Sequence, residues 1–198
     1  MRIFVALDLK EEIRLRIQRF IEEMRALAPD ARWANPESLH VTLKFIGEKP
    51  ESAVKEIEAA LGRIQCDPVQ LSFRGCGFFP TPKAARVFWI GIESQELSRL
   101  AKNVDRVLAE LGIPPEERAY TPHLTLARAG GGSGAPHRQR GDKANQRFAR
   151  LQEKLASLPA PDFGTMTARE FFLYRSELGR GGSRYTKIAR FSLQSTGQ

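Results

Sequence analysis

Residues Ser38–Phe45 read SLHVTLKF, and residues Thr121–Arg128 read TPHLTLAR. In each stretch a histidine, His40 or His123, is followed by one apolar residue, a threonine and a leucine, and the two histidines lie 83 positions apart. The whole chain contains only 3 histidines. Two of them in matching surroundings indicate an internal repeat, which predicts further matching segments at the same spacing.

The segments around the two histidines repeat as well. The strand-like runs RIFVALDL (residues 2–9) and RVFWIGIES (residues 86–94) begin 84 positions apart, and an amphipathic helical pattern follows each run. A second helical pattern follows each histidine motif, and the runs VQLSFRGCGFF and MTAREFFLY then close the two halves. The predicted order is β-α-β-α-β twice, with the repeat at approximately 2–79 and 86–174 and an extra C-terminal strand at 185–194.

We therefore predict an α+β protein that forms a single bilobal domain over residues 1–198. Two pseudo-symmetric lobes, each a mainly antiparallel sheet with outer helices, are expected to flank a central cleft. The second half is longer because of the glycine-rich stretch 129–143, which predicts a surface loop, either an RNA-facing arm or a tolerated insertion. His137 lies in this stretch and is predicted to be solvated.

Composition narrows the function classes. The net charge is +8, and the basic excess is concentrated in residues 128–154 and 175–190. Such tracts suit a polyanion such as RNA, although a solvated basic surface gives the same pattern. No apolar run approaches the roughly 20 residues that span a bilayer, so we expect a cytoplasmic protein with no membrane association. Cys66 and Cys76 form no CxxC pair, which indicates neither a disulfide framework nor a zinc site.

Strand geometry assigns a face to each residue of the two motifs. Residues two apart on a strand share a face, so His40 and Thr42 are expected to project together, as are His123 and Thr125. The opposite, core face is expected to take the apolar residues Val41, Leu43, Phe45, Leu124 and Leu126. If the lobes are related by a pseudo-two-fold axis, two imidazoles and two hydroxyls meet in the cleft.

This set of groups suits general acid–base catalysis on a phosphodiester. One imidazole takes a proton from the attacking oxygen and the other protonates the leaving oxygen, since an unperturbed histidine titrates at a pKa of about 6.5. Threonine hydroxyls and a nearby cation stabilise the charge on the phosphate oxygens. A zinc site is the competing interpretation, but it needs a third ligand, and nothing in the spacing of Asp8 requires it there. No metal or other cofactor is predicted.

The two motifs and their flanks resemble the 2H phosphoesterase superfamily, and within it the RNA 2′,3′-cyclic phosphodiesterases, also called 2′-5′ RNA ligases. The resemblance covers nearly the whole chain, including RWANPESLHVTLKFIGE, YTPHLTLAR and FFLYRSELGRGGSRYTKIARFSL. It implies a bilobal α+β fold and metal-independent hydrolysis of a terminal 2′,3′-cyclic phosphodiester on RNA to a 2′-phosphomonoester. The implied partner is RNA with such an end, for example a tRNA fragment, bound by a monomer.

The resemblance also implies the role of each site residue. His40 would be the proton donor to the departing 3′ oxygen, and His123 would be the proton acceptor acting on water. Thr42, Thr125 and Arg128 would bind the substrate phosphate. Simple alternation places Arg128 on the face opposite His123, so this role requires a bulge or a strand end nearby.

Several alternatives stay open on sequence alone. The same residues can run the reaction backwards as 2′-5′ RNA ligation, and the basic tracts also suit a non-catalytic RNA-binding module. A further alternative is a phosphodiesterase that acts on small cyclic nucleotides. Phe4 and Tyr185 are aromatic residues on which an RNA base can stack, although both lie in runs where core packing is the default.

Overall fold

The strands and helices of this computed structural model follow the predicted order, with one short additional strand and one predicted strand divided in two. The structure describes residues 1–117, 119–130, 146–179 and 182–194, of which 178, 179 and 182 are described by their backbone alone. The strands are β1 (Arg2–Asp8), β2 (Ala31–Trp33), β3 (His40–Glu48), β4 (Val69–Phe79), β5 (Val87–Glu93), β6 (His123–Ala129), β7 (Asp162–Ala168), β8 (Glu170–Gly179) and β9 (Gly182–Ser192). The helices are α1 (Glu11–Met24), α2 (Val54–Gly62), α3 (Leu97–Ala109) and α4 (Ala149–Ala156).

The strands form two antiparallel sheets, which confirms the predicted α+β class. The first sheet has the order β3-β1-β8-β9, and the second has the order β2-β6-β5-β4-β7. Each sheet contains strands from both halves of the sequence. The strand that closes the first half, β4, pairs with β5, which opens the second half; β8, near the end of the second half, pairs with β1.

The run MTAREFFLY, which the sequence pattern treats as a single closing strand, is divided between the sheets. β7 ends at Ala168 in the second sheet and β8 begins at Glu170 in the first. The intervening Arg169 uses its carbonyl to accept a hydrogen bond from Leu193 N at 2.7 Å, which ties the crossing point to the end of β9. Both parts carry buried apolar side chains, so a single hydrophobic pattern runs through the crossing.

The helices bury the apolar stripes that the sequence predicted. In α1 the side chains of Ile13, Ile17 and Ile21 are fully buried, and in α3 those of Val104 and Leu108 are. These residues belong to one continuous hydrophobic core that also takes in strands of both sheets. Within the described part of the chain, every helix is too short or too polar to cross a membrane. Residues 131–143 of the predicted loop, with His137, lie outside the described residues.

Candidate active site

The two motif histidines occupy equivalent positions in the two sheets. His40 is the first residue of β3, and His123 is the first residue of β6. The Nδ1 atom of His40 lies 2.8 Å from the carbonyl oxygen of Ser38, and that of His123 lies 2.7 Å from the carbonyl oxygen of Thr121. Because a carbonyl oxygen only accepts, Nδ1 carries the proton in both rings. Nε2 is then the ring atom that exchanges a proton with a bound molecule: it accepts a proton in the neutral imidazole and donates one in the imidazolium.

Aromatic side chains contact both imidazoles. The ring of His40 lies 4.7 Å from that of Phe4 and 5.0 Å, edge-on, from that of Tyr185. The ring of His123 meets Phe79 edge-on at 5.2 Å, and Phe79 stacks on Trp89 at 4.9 Å. These contacts fix the ring orientations and exclude water from one side of each histidine. Phe4 is only 2% exposed and therefore packs in the interior, whereas Tyr185 is half-buried.

The environment of His40 changes its acidity. Burial lowers the pKa of the His40 imidazole, while the bond to the Ser38 carbonyl and the negative charge of Asp8 raise it, and the positive charge of Arg14 lowers it further. Burial is the largest of these effects. The lowered pKa favours the neutral imidazole of His40 over the imidazolium.

A bulge in β3 overturns the predicted placement of Phe45. In the pairing with β1, Val5 lies opposite Lys44 and Ala6 lies opposite Thr42, so Leu43 is an extra residue. The extra residue shifts the alternation, as bulges do. The Lys44 side chain consequently turns into the interior at 6% exposure, and Phe45 lies on the same face as His40 and Thr42 at 62% exposure. Phe45 is thus not a core residue.

A bulge at the equivalent place in β6 puts Arg128 on the histidine face. In the pairing with β5, Phe88 lies opposite Ala127 and Trp89 lies opposite Thr125, so Leu126 is the extra residue. Leu126 and Ala127 are both buried, and Arg128 after them is exposed. The face that carries His123 and Thr125 therefore also carries Arg128. This is the bulge that the predicted role of Arg128 requires.

Contacts between the sheets bring the two motifs together. Cα atoms of β3 and β6 approach within 8 Å of one another. Tyr120, three residues before His123, donates a hydrogen bond from its Oη to the backbone oxygen of Thr42 at 2.9 Å. Burial raises the pKa of the Tyr120 phenol, so the hydroxyl keeps the proton that it donates. One motif is thereby bound directly to the segment that leads into the other.

A buried ion pair adds a second connection between the motifs. Lys44 Nζ donates to Asp105 Oδ1 of α3 at 2.5 Å and to the backbone oxygen of Pro114 at 2.7 Å. The Asp105 carboxylate also accepts from the backbone N–H of Glu116 at 3.2 Å. Lys44 follows the first motif directly, whereas Pro114 and Glu116 belong to the connection that leads to His123. No pattern in the sequence predicted this ion pair.

A second charged network supports the turn that carries His40. Arg14, 7% exposed on α1, donates to Asp8 Oδ1 and to the backbone oxygen of Pro36, both at 2.6 Å. Lys187 donates to the other Asp8 oxygen and lies over the ring of Phe172 at 4.2 Å. Both oxygens of Asp8, the residue considered as a third metal ligand, are thus engaged by cations. Among the described residues, no three histidine, cysteine or acidic side chains are grouped as a metal site would require.

This fold, with a histidine beginning the equivalent strand of each sheet and hydroxyl and cationic groups on the same face, is that of a phosphoesterase. The family described as LigT like Phosphoesterase matches the chain over residues 7–89 and 90–185. The chain belongs to this family of LigT-like phosphoesterases, within the 2H phosphoesterase superfamily.

Individual relatives match almost from end to end. The RNA 2′,3′-cyclic phosphodiesterase of Methanothermobacter thermautotrophicus is 34% identical over 97% of this chain and 98% of its own length. That of Archaeoglobus fulgidus is 33% identical over 96% of this chain and 99% of its own. Among solved structures, E. coli LigT complexed with 3′-AMP superimposes with a TM-score of 0.75 at 28% identity, covering 97% of both chains.

Proposed function

We propose that this phosphoesterase hydrolyses the 2′,3′-cyclic phosphodiester at the end of an RNA chain to a 2′-phosphomonoester, without a metal, by a two-histidine general acid–base mechanism. Relatives of nearly the same length are named RNA 2′,3′-cyclic phosphodiesterases, and one similar protein was crystallised with a nucleotide that carries a 3′-phosphate. We expect the enzyme to work as a monomer in the cytoplasm, with tRNA fragments among its substrates.

The observation that carries the proposal is the matching environment of the two imidazoles. Each Nδ1 donates to the carbonyl of the residue two positions earlier, and each Nε2 is left for the substrate. A protein that only binds RNA has no need of two equivalently oriented proton carriers, whereas an in-line displacement needs one on each side of the phosphorus.

The reaction follows from these positions. His123 Nε2 accepts a proton from water as the water oxygen attacks the phosphorus. The bond between phosphorus and the 3′ oxygen breaks, and His40 Nε2 gives its proton to that oxygen, which leaves a 2′-phosphate and a 3′-hydroxyl. Because the substrate phosphate is an anion, its arrival beside His40 favours the imidazolium and offsets the effect of burial.

The remaining groups of the face hold the phosphate. Thr42 and Thr125 project beside the two histidines and donate hydroxyl hydrogen bonds to the non-bridging oxygens, where charge accumulates during attack. Arg128 adds a guanidinium, which pairs with two phosphate oxygens at once. Phe45 offers an exposed ring on the same face, and a base of the RNA stacks on it.

The test is a short RNA with a 2′,3′-cyclic phosphate end, incubated with EDTA present and followed by phosphorus NMR. The expected product is the 2′-phosphate alone. His40→Gln and His123→Gln should each lower turnover by about 10²–10⁴ while RNA binding is kept, because general acid and base contributions are of this size. His137→Gln, the matched control, should retain wild-type turnover. A 3′-phosphate product, loss of activity in EDTA, or full activity of either motif variant would contradict the proposal.

The same assay separates hydrolysis from ligation. Adding a second RNA with a 5′-hydroxyl gives a longer, 2′-5′-linked product if the reverse chemistry dominates, and sizing the products detects it. We expect water to consume the cyclic phosphate even at a large excess of the second RNA.

A further inference from the structure

The carbonyl that orients His40 belongs to a short turn. Ser38 is the last residue of the single 3-10 turn Pro36–Ser38, and its carbonyl oxygen accepts from His40 Nδ1 at 2.8 Å. Asn35 closes the turn, because its side chain accepts from Glu37 N at 3.2 Å and its backbone oxygen accepts from Ser38 N at 2.9 Å. The hydrogen bond at one ring nitrogen decides which nitrogen carries the proton. The position of this turn therefore decides which ring nitrogen of His40 faces the substrate.

One guanidinium holds the turn on both sides of this carbonyl. Arg14 Nη1 lies 2.6 Å from the carbonyl oxygen of Pro36 and 3.4 Å from that of Leu39. The first of these residues comes two positions before Ser38, and the second comes directly after it. The Arg14 side chain is 7% exposed, and its donors form a rigid planar fork. The turn is thus fixed to α1 before and after the carbonyl that His40 uses.

Asp8 fixes the guanidinium in turn. Arg14 Nη2 donates to Asp8 Oδ1 at 2.6 Å, and the same oxygen accepts from Leu9 N at 2.8 Å. Lys187 donates to the other carboxylate oxygen. In the pairing of β1 with β3, Asp8 is the direct partner of His40. The fork therefore connects the strand that pairs with His40 to the turn that orients its ring.

The second half of the chain has different residues at the corresponding places. Gly91 is the direct partner of His123 on β5, as Asp8 is that of His40 on β1. At the repeat spacing of 84 positions, Ser98 stands where Arg14 stands in the first half. Neither residue carries a charge. The Nδ1 bond of His123 is thus formed without this fork, which makes His123 an internal control for the effect of Arg14.

We propose that Arg14 is a positioning residue for His40: by holding the turn on both sides of the Ser38 carbonyl, it keeps the proton on Nδ1 and aims Nε2 at the bond that breaks. Asp8 keeps the guanidinium in place. The consequence for turnover rests on the proposed function, whereas the consequence for the imidazole does not. Neither the sequence motifs nor the mechanism assigns Arg14 a role in the reaction.

The groups near His40 predict how a substitution of Arg14 changes its pKa. These groups come from four elements: Asp8 of β1, Arg14 of α1, Tyr174 of β8, and Tyr185 and Lys187 of β9. The positive charge of Arg14 lowers the pKa of His40, and the negative charge of Asp8 raises it. Arg14→Gln should therefore raise the pKa of His40. Arg14→Lys should leave this pKa nearly unchanged, because lysine retains the charge but not the fork, and it thus separates positioning from charge.

Nitrogen NMR of the histidine rings and steady-state kinetics test the inference on the same variants. In the neutral wild-type protein, His40 and His123 should both show the tautomer with the proton on Nδ1. In Arg14→Lys and Arg14→Gln, His40 should show a mixture of both tautomers, while His123 keeps the wild-type form. On a dinucleotide that ends in a 2′,3′-cyclic phosphate, kcat should fall about ten- to a hundredfold, because a misplaced catalytic group costs about this much. KM should change by less than about threefold, since the phosphate contacts remain.

Glu12→Gln is the matched control. Glu12 lies on α1 two residues before Arg14, is 66% exposed and faces Arg16, so the variant should keep the wild-type spectra and kcat. Arg14→Lys keeps a cation in the interior and carries the test if Arg14→Gln does not fold. Unchanged His40 tautomers in Arg14→Lys, an equal change at His123, or wild-type kcat in spite of mixed tautomers would overturn the inference. If the wild-type protein hydrolyses no cyclic phosphate, the proposed function fails, and the spectra alone decide the positioning role.

Discussion

Replacing Lys44 by methionine tests whether its buried ammonium holds the two motifs in place. The Lys44 side chain is 6% exposed and donates to Asp105 at 2.5 Å and to the Pro114 carbonyl at 2.7 Å. Methionine keeps the apolar stem and removes the charge. Removing one member of a fully buried pair costs about 3–5 kcal/mol. Asp105 is 24% exposed and keeps its bonds from the Glu116 N–H, so we expect a loss of about 2–3 kcal/mol.

The assay is urea unfolding followed by circular dichroism, together with turnover on a cyclic phosphate at 25 °C. For a chain of this size the loss corresponds to a melting temperature lower by about 4–12 °C. Turnover should fall more than KM rises, because the segment leading to His123 loses its anchor. Lys102→Met is an exposed substitution on α3, the helix that carries Asp105, and its free energy of unfolding should stay within about 0.5 kcal/mol of wild type. Wild-type stability of Lys44→Met, or unchanged turnover despite lower stability, would refute the reasoning.

Three further predictions concern single side chains. Tyr120→Phe removes the hydrogen bond to the Thr42 carbonyl and should cost about 1–2 kcal/mol in urea unfolding, with a lower turnover; equal stability would show that water replaces the hydroxyl. Burial lowers the pKa of His40 in the folded protein below its value of about 6.5 in the unfolded chain. As the pH falls below about 6.5, the unfolded chain therefore binds the extra proton more readily, and the free energy of unfolding decreases. His40→Gln should lose less stability than wild type between pH 7 and pH 5, and an identical pH dependence would contradict this. Phe45→Ala should raise KM for a cyclic-phosphate RNA about tenfold at unchanged stability, because a stacked base contributes about 1–3 kcal/mol; no change in KM would exclude stacking there.

The sequence predicted what depends on local periodicity. Alternation along a strand was sufficient to place His40 beside Thr42 and His123 beside Thr125, and the helical stripes identified the buried face of α1 and α3. Alternation failed beyond the threonines, because a bulge is a property of two paired strands and neither strand shows it alone. Phe45 and Arg128 therefore lie on faces that counting by twos assigns wrongly.

The burial of the charged residues Lys44 and Arg14 was harder to predict, for a different reason. Lys44 stands in a run of apolar residues, and Arg14 stands next to the buried Ile13, yet both side chains are buried. Both side chains use partners that are distant in sequence: Asp105 lies 61 residues from Lys44, and Pro36, one of the partners of Arg14, lies 22 residues from it. Long-range partners of this kind follow from the tertiary fold and not from any local pattern.

Each half of the chain contributes a strand that pairs with the opening strand of the other half, and this exchange has a consequence for the ancestry of the chain. β4 covers one edge of β5, and β8 covers one edge of β1, so each half alone would leave one edge of its opening strand unpaired. A half-length progenitor would have left that edge open to aggregation unless a second copy supplied the missing strand. Joining two such copies head to tail makes the exchange intramolecular, and it places one motif histidine on each of the two sheets.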